Sequence, residues 1–285
     1  MLKDIRNPQY WNQLWQQNLG KHMGGDPVEH WNKKAKSFTK MVESGEGNKR
    51  INGVINFLKK QNVLWDNMKI LDIGCGPGNF ALPFAQLGAQ VTAMDPAPNM
   101  LEALKEQIAT KNIKNIEVVQ GLWEELDIRE MGWYKKFDLV FASQSPGLRD
   151  METIEKMNDC SSQYCFATGF DGKRQMSLYD AFFQKYFDRP YIKNSHDIIF
   201  LINLLYSSGH RPTVEFLNLS RTEKYPVEEI KKSLKEISVS EELQLEDFDE
   251  EIERFLAAQA QSEAGSYGQS IRQVIGMVLW KPEIF

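Results

Sequence analysis

Beyond Trp65, short apolar runs alternate with segments of helical periodicity, and this alternation restricts the fold more than any other feature. The apolar runs have the length of buried strands and cover residues 69–73, 90–94, 116–119, 137–142 and 164–168. The helical segments between them lie near residues 79–87, 98–111 and 150–160. Strands that alternate with helices form right-handed βαβ units, which build a parallel sheet covered on both faces. The sequence therefore predicts an α/β fold.

The segments on either side of this alternation predict further helices and strands. Before Trp65, two short amphipathic helices carry Trp11, Trp15 and Trp31, and a third helix follows from Ile51. After the alternation, a helix is predicted over residues 196–208, and strands are predicted over residues 213–219 and 271–280.

Two segments do not fit the repeating unit. Residues 171–195 are rich in aromatic side chains, and residues 226–262 are acidic with a helical pattern. We predict that both are helical insertions at one end of the sheet. The expected organisation is a helical N-terminal cap over residues 1–64 and one domain over residues 65–285 that contains these insertions.

Composition and charge exclude several classes of protein. The 285 residues carry 34 Lys and Arg against 39 Asp and Glu, a net charge of -5, which disfavours nucleic acid as a partner. The longest apolar run, residues 198–206, is too short to cross a membrane, and no secretory signal pattern is present, so we expect a cytoplasmic protein. The 3 cysteines are not in a CxxC or CxxH spacing, so we expect no disulfide framework and no metal site. The oligomeric state is not indicated.

The most informative motif is the run Leu71-Asp72-Ile73-Gly74-Cys75-Gly76-Pro77-Gly78-Asn79, in which a buried strand leads into glycines and then a helix. Glycines allow the backbone to turn tightly against a ligand. Asn79 stands where the dinucleotide fingerprint has its third glycine, which disfavours NAD. Asp95 ends the next strand, 19 residues after Gly76, where a carboxylate can accept hydrogen bonds from ribose hydroxyls. We predict a nucleoside site; alternatively, the glycines only pack the helix on the strand.

These residues resemble the first two motifs of the class I S-adenosylmethionine-dependent methyltransferases. The resemblance implies a Rossmann-like, seven-stranded, mostly parallel sheet with an antiparallel last strand, together with a helical N-terminal extension and helical insertions. It also implies S-adenosylmethionine as the cofactor, with Asp72, Gly74 and Gly76 at its methionine end, Asp95 at its ribose and Met100 at its adenine. The full set of expected cofactor-binding residues is Lys34, Phe38, Asp72, Gly74, Cys75, Gly76, Asp95, Pro96, Met100, Leu122, Trp123 and Ser143.

The chain departs from the family pattern after its third strand. Gly121-Leu122 replaces the frequent Gly-Asp pair, so backbone amides, Trp123 or Glu124 must recognise the adenine. The segment from Trp31 to Phe38 resembles a lead-in helix of small-molecule members, whose basic and aromatic residues, here Lys34 and Phe38, face the cofactor. The alternative is an amphipathic helix with a solvated lysine face.

The acceptor site is the least determined part of the sequence. The fourth strand is followed by Ser-Gln-Ser-Pro-Gly at residues 143–147 where the amino-methylating branch has Asn-Pro-Pro-Tyr, so this loop is expected to be a floor for cofactor and acceptor. Aromatic residues of the 171–195 insertion could form a lid or simply pack in a core. The candidate acceptor residues are Trp11, Gln144, Tyr179 and Phe183. No general base identifies itself.

The resemblance predicts an enzyme that transfers a methyl group from S-adenosylmethionine to a small-molecule acceptor. Two alternatives remain open. One is a sensor or partner subunit that binds the cofactor without catalysis, and the other is a methyltransferase acting on protein or RNA. An enzyme needs an acceptor cavity beside the cofactor site, whereas a sensor does not.

Overall fold

The computed structural model describes residues 4–19, 28–35, 45–171, 175–191, 197–240, 248–259, 261–263 and 266–283. The chain divides into two compact units. The first unit comprises Met1–Phe170, His196–Leu217 and Ile275–Phe285, and the second comprises Asp171–Ser195 and Asn218–Val274. Phe38 and His196 lie outside these described ranges.

The described strands form one mixed sheet. In chain order they are β1 (Lys69–Ile73), β2 (Gln90–Asp95), β3 (Ile116–Gln120), β4 (Phe137–Ser143), β5 (Ser161–Phe170), β6 (Gln175–Met176), β7 (Thr213–Pro226), β8 (Gln261–Glu263) and β9 (Ser266–Trp280). The first five are parallel in the order β3-β2-β1-β4-β5, and β9 pairs antiparallel with β5. β7, β6 and β8 each pair with β9. The predicted mostly parallel sheet with an antiparallel last strand is confirmed, and the short strands β6 and β8 are additions that the sequence did not predict.

The described helices separate and flank these strands. They are α1 (Pro8–Leu19), α2 (residues 28–35), α3 (Gly45–Lys60), α4 (Ala81–Gln86), α5 (Pro98–Thr110), α6 (Met151–Cys160), α7 (Ser177–Phe187), α8 (Ile198–Ser207), α9 (Val227–Ser240) and α10 (Phe248–Ala257). In the part of the chain that the structure describes, no helix combines the length and the apolar character needed to cross a bilayer.

The strands β1, β2 and β4 are buried on both faces over most of their length, which explains why they are mainly apolar in the sequence, whereas the edge strand β3 is only half-buried. β4 shows this directly, because its successive side chains alternate between two separate cores. Leu139 and Phe141 belong to the core that includes α3 and α4. Val140 and Ala142 belong to the core that includes α6 and α8. Because these strands are parallel, their carboxyl ends lie at the same edge of the sheet.

Two glycines allow α8 to lie close against the sheet. Gly169 of β5 pairs with Gly276 of β9. A Cβ on Gly169 would lie 2.9 Å from the side chain of Ile198, and a Cβ on Gly276 would lie 2.7 Å from it. Because a carbon atom cannot approach another this closely, any larger residue would push the start of α8 away from the sheet.

The second unit has an aromatic core of its own. Side chains from α7, α9, α10 and the first part of β9 bury one another, including Phe182, Phe183, Phe255 and Tyr267. The unit includes residues 171–195, which we predict as an insertion, and residues 218–274, a longer stretch than the predicted 226–262.

Candidate functional site

The glycine loop after β1 opens a cavity at the carboxyl ends of the parallel strands. The N–H groups of Gly74 and Cys75 both donate to the carbonyl of Met94, at 2.9 Å each, which holds the loop against the end of β2. Gly76 has a φ of 55°, a left-handed conformation that favours glycine. A Cβ added to Gly76 would find only the Met100 sulfur within 4.0 Å, so it would extend into open space.

The cavity has a volume of about 240 Å³ and lies entirely in the first unit. Most of the residues that we predict to bind a cofactor line it, namely Asp72, Gly74, Cys75, Gly76, Asp95, Pro96, Met100, Leu122, Trp123 and Ser143. Gln144, which we predict as an acceptor residue, lines it as well. Among these predicted residues, Asp72 and Gln144 are the farthest apart in the sequence. They are separated by 72 positions, and the fold brings them to the same cavity.

Asp95 is held at the end of β2 by two backbone hydrogen bonds. Its Oδ2 accepts from the N–H of Gly76 and its Oδ1 accepts from the N–H of Ala97, each at 2.9 Å. The side chain is buried, and burial raises its pKa, while the two hydrogen bonds act in the opposite direction. Each carboxylate oxygen can accept a further hydrogen bond, so Asp95 can still receive two donors from a ligand.

Asp72 is the most deeply buried carboxylate of the cavity. Burial, together with the nearby charge of Asp95, raises its pKa to about 8, although the N–H of Ala81 and the charge of Arg50 act in the opposite direction. Its Oδ2 has no hydrogen-bond partner among the described residues. An unpartnered buried carboxylate oxygen is costly, and a donor or a cation on a ligand would relieve that cost.

Arg50 of α3 supplies a positive charge that the sequence analysis missed. It lines the cavity, and its guanidinium lies 5.5 Å from the centroid of the Phe80 ring. Burial lowers its pKa to about 10, with the charge of Asp72 opposing the shift, so Arg50 stays protonated at neutral pH. Its Nη1 donates to the Oε1 of Gln144. In the sequence it looks like any basic residue of an amphipathic helix, and only the packing of α3 places it here.

Trp123 is anchored by the helix behind it. Its indole N–H donates to the carbonyl of Thr153 at 3.2 Å. The ammonium of Lys156 donates to the carbonyls of Trp123, Glu124 and Leu126 at 3.0, 2.9 and 3.2 Å. These bonds fix the turn after β3, which supplies Leu122, Trp123 and Glu124 to the cavity wall.

A second, smaller cavity of about 60 Å³ adjoins the first. The two cavities share three lining residues, Gln144, Ser145 and Phe170. The remaining lining residues of the second cavity are Trp15, Leu148, Ala167, Thr168, Gly169, Asp197, Ile198 and Leu201. All of them lie in the first unit.

Four of the described residues that we predict for the site line neither of these two cavities. Lys34 is exposed on α2, with its ammonium 5.5 Å from the ring centroid of Trp31, and it is Trp31 that lines the first cavity. Trp11 packs beside the core of the first unit and donates its indole N–H to the carbonyl of Ile5. Tyr179 and Phe183 are buried in the aromatic core of the second unit. Phe38 lies outside the described residues.

Comparison with known proteins agrees with this geometry. Residues 70–161 match the model of the methyltransferase domain family. An uncharacterized protein of Haemophilus influenzae is 28% identical over 212 residues, which cover 72% of each chain. A ubiquinone biosynthesis O-methyltransferase of Rhodopseudomonas palustris is 37% identical over 94 residues, 33% of this chain and 32% of that protein. A 23S rRNA (uracil(1939)-C(5))-methyltransferase of Shewanella sediminis is 29% identical over 115 residues, 38% of this chain and 26% of that protein.

Structural comparison agrees on the fold. A protein of Bacillus halodurans assigned as a methyltransferase superposes with a TM-score of 0.51 and 15% identity, covering 80% of this chain and 98% of that one. The match to the family model identifies residues 70–161 as a methyltransferase domain. The match to the methyltransferase relatives that carry a named activity covers a third of their length or less, so their acceptors do not transfer to this protein.

The first cavity fits S-adenosylmethionine, the cofactor that the sequence motifs predict. The cofactor carries an ammonium group and ribose hydroxyls, which are hydrogen-bond donors. The cavity offers the unpartnered Oδ2 of Asp72 and the oxygens of Asp95 as acceptors. The space over Gly76 that a Cβ would occupy allows a ligand to approach the backbone. Among the described residues, no three His, Cys, Asp or Glu side chains come together as a candidate metal site.

Proposed function

We propose that this methyltransferase transfers a methyl group from S-adenosylmethionine to a small-molecule acceptor. The observation that carries the proposal is the second cavity, which adjoins the cofactor cavity and shares Gln144, Ser145 and Phe170 with it. A protein that only sensed the cofactor would not need this space, and a macromolecular acceptor would need an open approach to it.

In this proposal different residues of the first cavity bind different parts of the cofactor. Asp95 receives the ribose hydroxyls, because its two oxygens are fixed by the N–H groups of Gly76 and Ala97. Asp72 and the protonated Arg50 face the methionine end. Met100 and the turn at Leu122–Trp123 form an apolar slot of the kind that suits the adenine.

The chain's own contribution to the reaction is orientation and exclusion of water. S-adenosylmethionine supplies an activated methyl group on a sulfonium sulfur, so strong acid–base chemistry is not required of the protein. The half-buried loop from Ser143 to Gly147 contributes Gln144 and Ser145 to both cavities and would hold an acceptor beside the cofactor. Apolar walls such as Phe170 keep water from the reacting atoms.

Charge and similarity support a small acceptor. The net charge of -5 disfavours a nucleic acid backbone as the acceptor. Of the relatives with a named activity, the O-methyltransferase of ubiquinone biosynthesis supports this proposal, whereas the 23S rRNA methyltransferase supports its alternative.

The test is a metabolite extract incubated with the protein and S-adenosylmethionine carrying a labelled methyl group. We expect label in the small-molecule fraction, where mass spectrometry identifies the product, and we expect the Asp95→Ala variant to lose it. Parallel incubations contain total RNA or total protein in place of the metabolites. Label that enters RNA or protein and never a small molecule would overturn the proposal.

A further inference from the structure

The second cavity has an apolar wall, and two of its lining residues, Trp15 and Gln144, carry a hydrogen-bond donor without a partner among the described residues. Its aliphatic and aromatic lining comes from Leu148, Phe170, Ile198 and Leu201. Its volume of about 60 Å³ suits a group of a few heavy atoms rather than a whole cofactor. A ligand group here would be in contact mostly with carbon, and its polar interactions would depend on the few polar side chains present.

Trp15 is the first of these donors. The side chain is 5% exposed, and its Nε1 has no hydrogen-bond partner among the described residues. An indole N–H can donate and cannot accept. Trp11, one helical turn earlier, donates the same group to the carbonyl of Ile5 at 2.8 Å. The lone N–H of Trp15 therefore calls for an acceptor atom on a ligand, since leaving a buried donor unpaired is unfavourable.

Gln144 is the second donor, and its orientation follows from its neighbour. Because an arginine can only donate, the atom of Gln144 that meets Arg50 must be the carbonyl oxygen Oε1. The Nε2 amide group is then turned away from Arg50, and it is buried with no partner among the described residues. The backbone of Gln144 has a φ of 54°, in the left-handed region, so the loop holds this side chain in a specific place.

We infer that the second cavity binds an oxygen-bearing group of the methyl acceptor, a hydroxyl, phenolate or carbonyl on a compact apolar body, held by the indole N–H of Trp15 and the amide N–H of Gln144. The inference rests on the proposed function, because it assigns the cavity to the acceptor. Both donors require an atom with a lone pair, and the apolar wall excludes a strongly hydrated ligand. An alkylammonium group has only donors, so it would leave both of these N–H groups unpaired.

The test uses the full-length protein with 15N-labelled tryptophan, saturated with S-adenosylhomocysteine, and two probes of the same shape, phenol and toluene. Phenol should shift the Trp15 indole resonance in a saturable way, and toluene should leave that resonance nearly unchanged. The Trp65→Phe variant, altered at an exposed residue near the amino end of β1, should bind phenol as the parent does and serves as the control.

Two variants remove one donor each: phenylalanine keeps an aromatic ring at position 15, and methionine keeps the length of the side chain at position 144. Trp15→Phe and Gln144→Met should each weaken phenol binding about tenfold, the loss expected for one buried hydrogen bond. Calorimetry on the same samples first measures S-adenosylhomocysteine binding. If that binding is absent, the proposed function and this inference both fail. If it is present and phenol leaves the Trp15 resonance unmoved, or phenol and toluene bind equally well, this inference alone is overturned.

Discussion

The carboxylate of Asp95 accepts a hydrogen bond from the N–H of Gly76 at 2.9 Å, which ties the end of β2 to the glycine loop after β1. The same carboxylate holds the N–H of Ala97 at the start of α5. One side chain therefore organises the loop, the helix start and the polar edge of the first cavity. We therefore expect that replacing Asp95 weakens cofactor binding more than it lowers the stability of the fold.

We expect Asp95→Asn to weaken S-adenosylhomocysteine binding about tenfold to a hundredfold, since hydrogen bonds to a charged acceptor contribute about 1.5–3 kcal/mol. Isothermal titration calorimetry measures the change. Glu102→Gln, at an exposed position of α5, removes one negative charge elsewhere and should bind as the parent does. Equal affinities for the Asp95→Asn variant and the parent would argue against a cofactor role for this carboxylate.

Alanine substitutions at Gly76 and Gly78 should have different effects: the first should weaken cofactor binding, and the second should lower the stability of the fold. Alanine at Gly76 would extend its Cβ into open space over the first cavity, whereas at Gly78 its Cβ would lie 2.5 Å from Leu104. Both positions have positive φ, which costs about 1 kcal/mol for alanine. We expect Gly76→Ala to lose cofactor affinity with a small change in melting temperature, and Gly78→Ala to melt markedly earlier. Thermal denaturation with and without S-adenosylhomocysteine gives both quantities, and the reverse pattern would contradict the geometry.

The buried carboxyl of Asp72 predicts a pH dependence of stability. Its pKa is about 8 in the folded protein, against about 3.9 for an unfolded chain. Between these values the folded state binds the proton and the unfolded state does not, so raising the pH favours unfolding. The cofactor-free protein should lose stability progressively from about pH 4 to about pH 8, and Asp95, whose pKa is also raised, should add to the loss.

Asp72→Asn tests the origin of that slope, because asparagine has nearly the same shape and does not titrate. Urea denaturation at a series of pH values should show a flatter profile for the variant than for the parent. Identical slopes in the two proteins would assign the pH dependence to other groups.

Lys156 is predicted to stabilise the turn that carries Trp123. Methionine at this position keeps the aliphatic stem and leaves three carbonyl oxygens without the ammonium, so unfolding should become easier by about 2 kcal/mol. Cofactor affinity should fall a few-fold because the cavity wall loosens. Lys135→Met is the matched control: its ammonium donates to the single exposed carbonyl of Asn158, and its loss should cost less than about 0.5 kcal/mol. Chemical denaturation distinguishes the two variants.

The sheet and the glycine loop could be predicted from the sequence because their signals are local. β1, β2 and β4 are buried on both faces over most of their length, so each is mainly apolar. The spacing between Gly76 and Asp95 reflects the length of one helix and one strand, which also shows in the sequence. The ends of these elements then meet at one edge of the sheet, which brings the motif residues into a single cavity.

Arg50 and Trp15 could not be assigned in the same way. Each lies on an amphipathic helix before the sheet, where a basic residue looks solvated and an aromatic residue looks like core. Their importance lies in partners distant in sequence: Arg50 meets Gln144, 94 positions later, and Trp15 lines a cavity with Leu201. Whether a buried N–H finds an acceptor depends on the complete packing, which periodicity does not encode.

The glycine pair on β5 and β9 offers a way to change the shape of the second cavity while the first cavity stays intact. Ile198, which both glycines admit, also lines the second cavity, while Gly276 lines neither cavity. A single added methyl group at Gly276 would displace the start of α8 and reshape the second cavity, where we propose that the acceptor binds, without altering any residue that lines either cavity. A substitution at Gly276 could thus change the range of substrates during evolution or in directed selection.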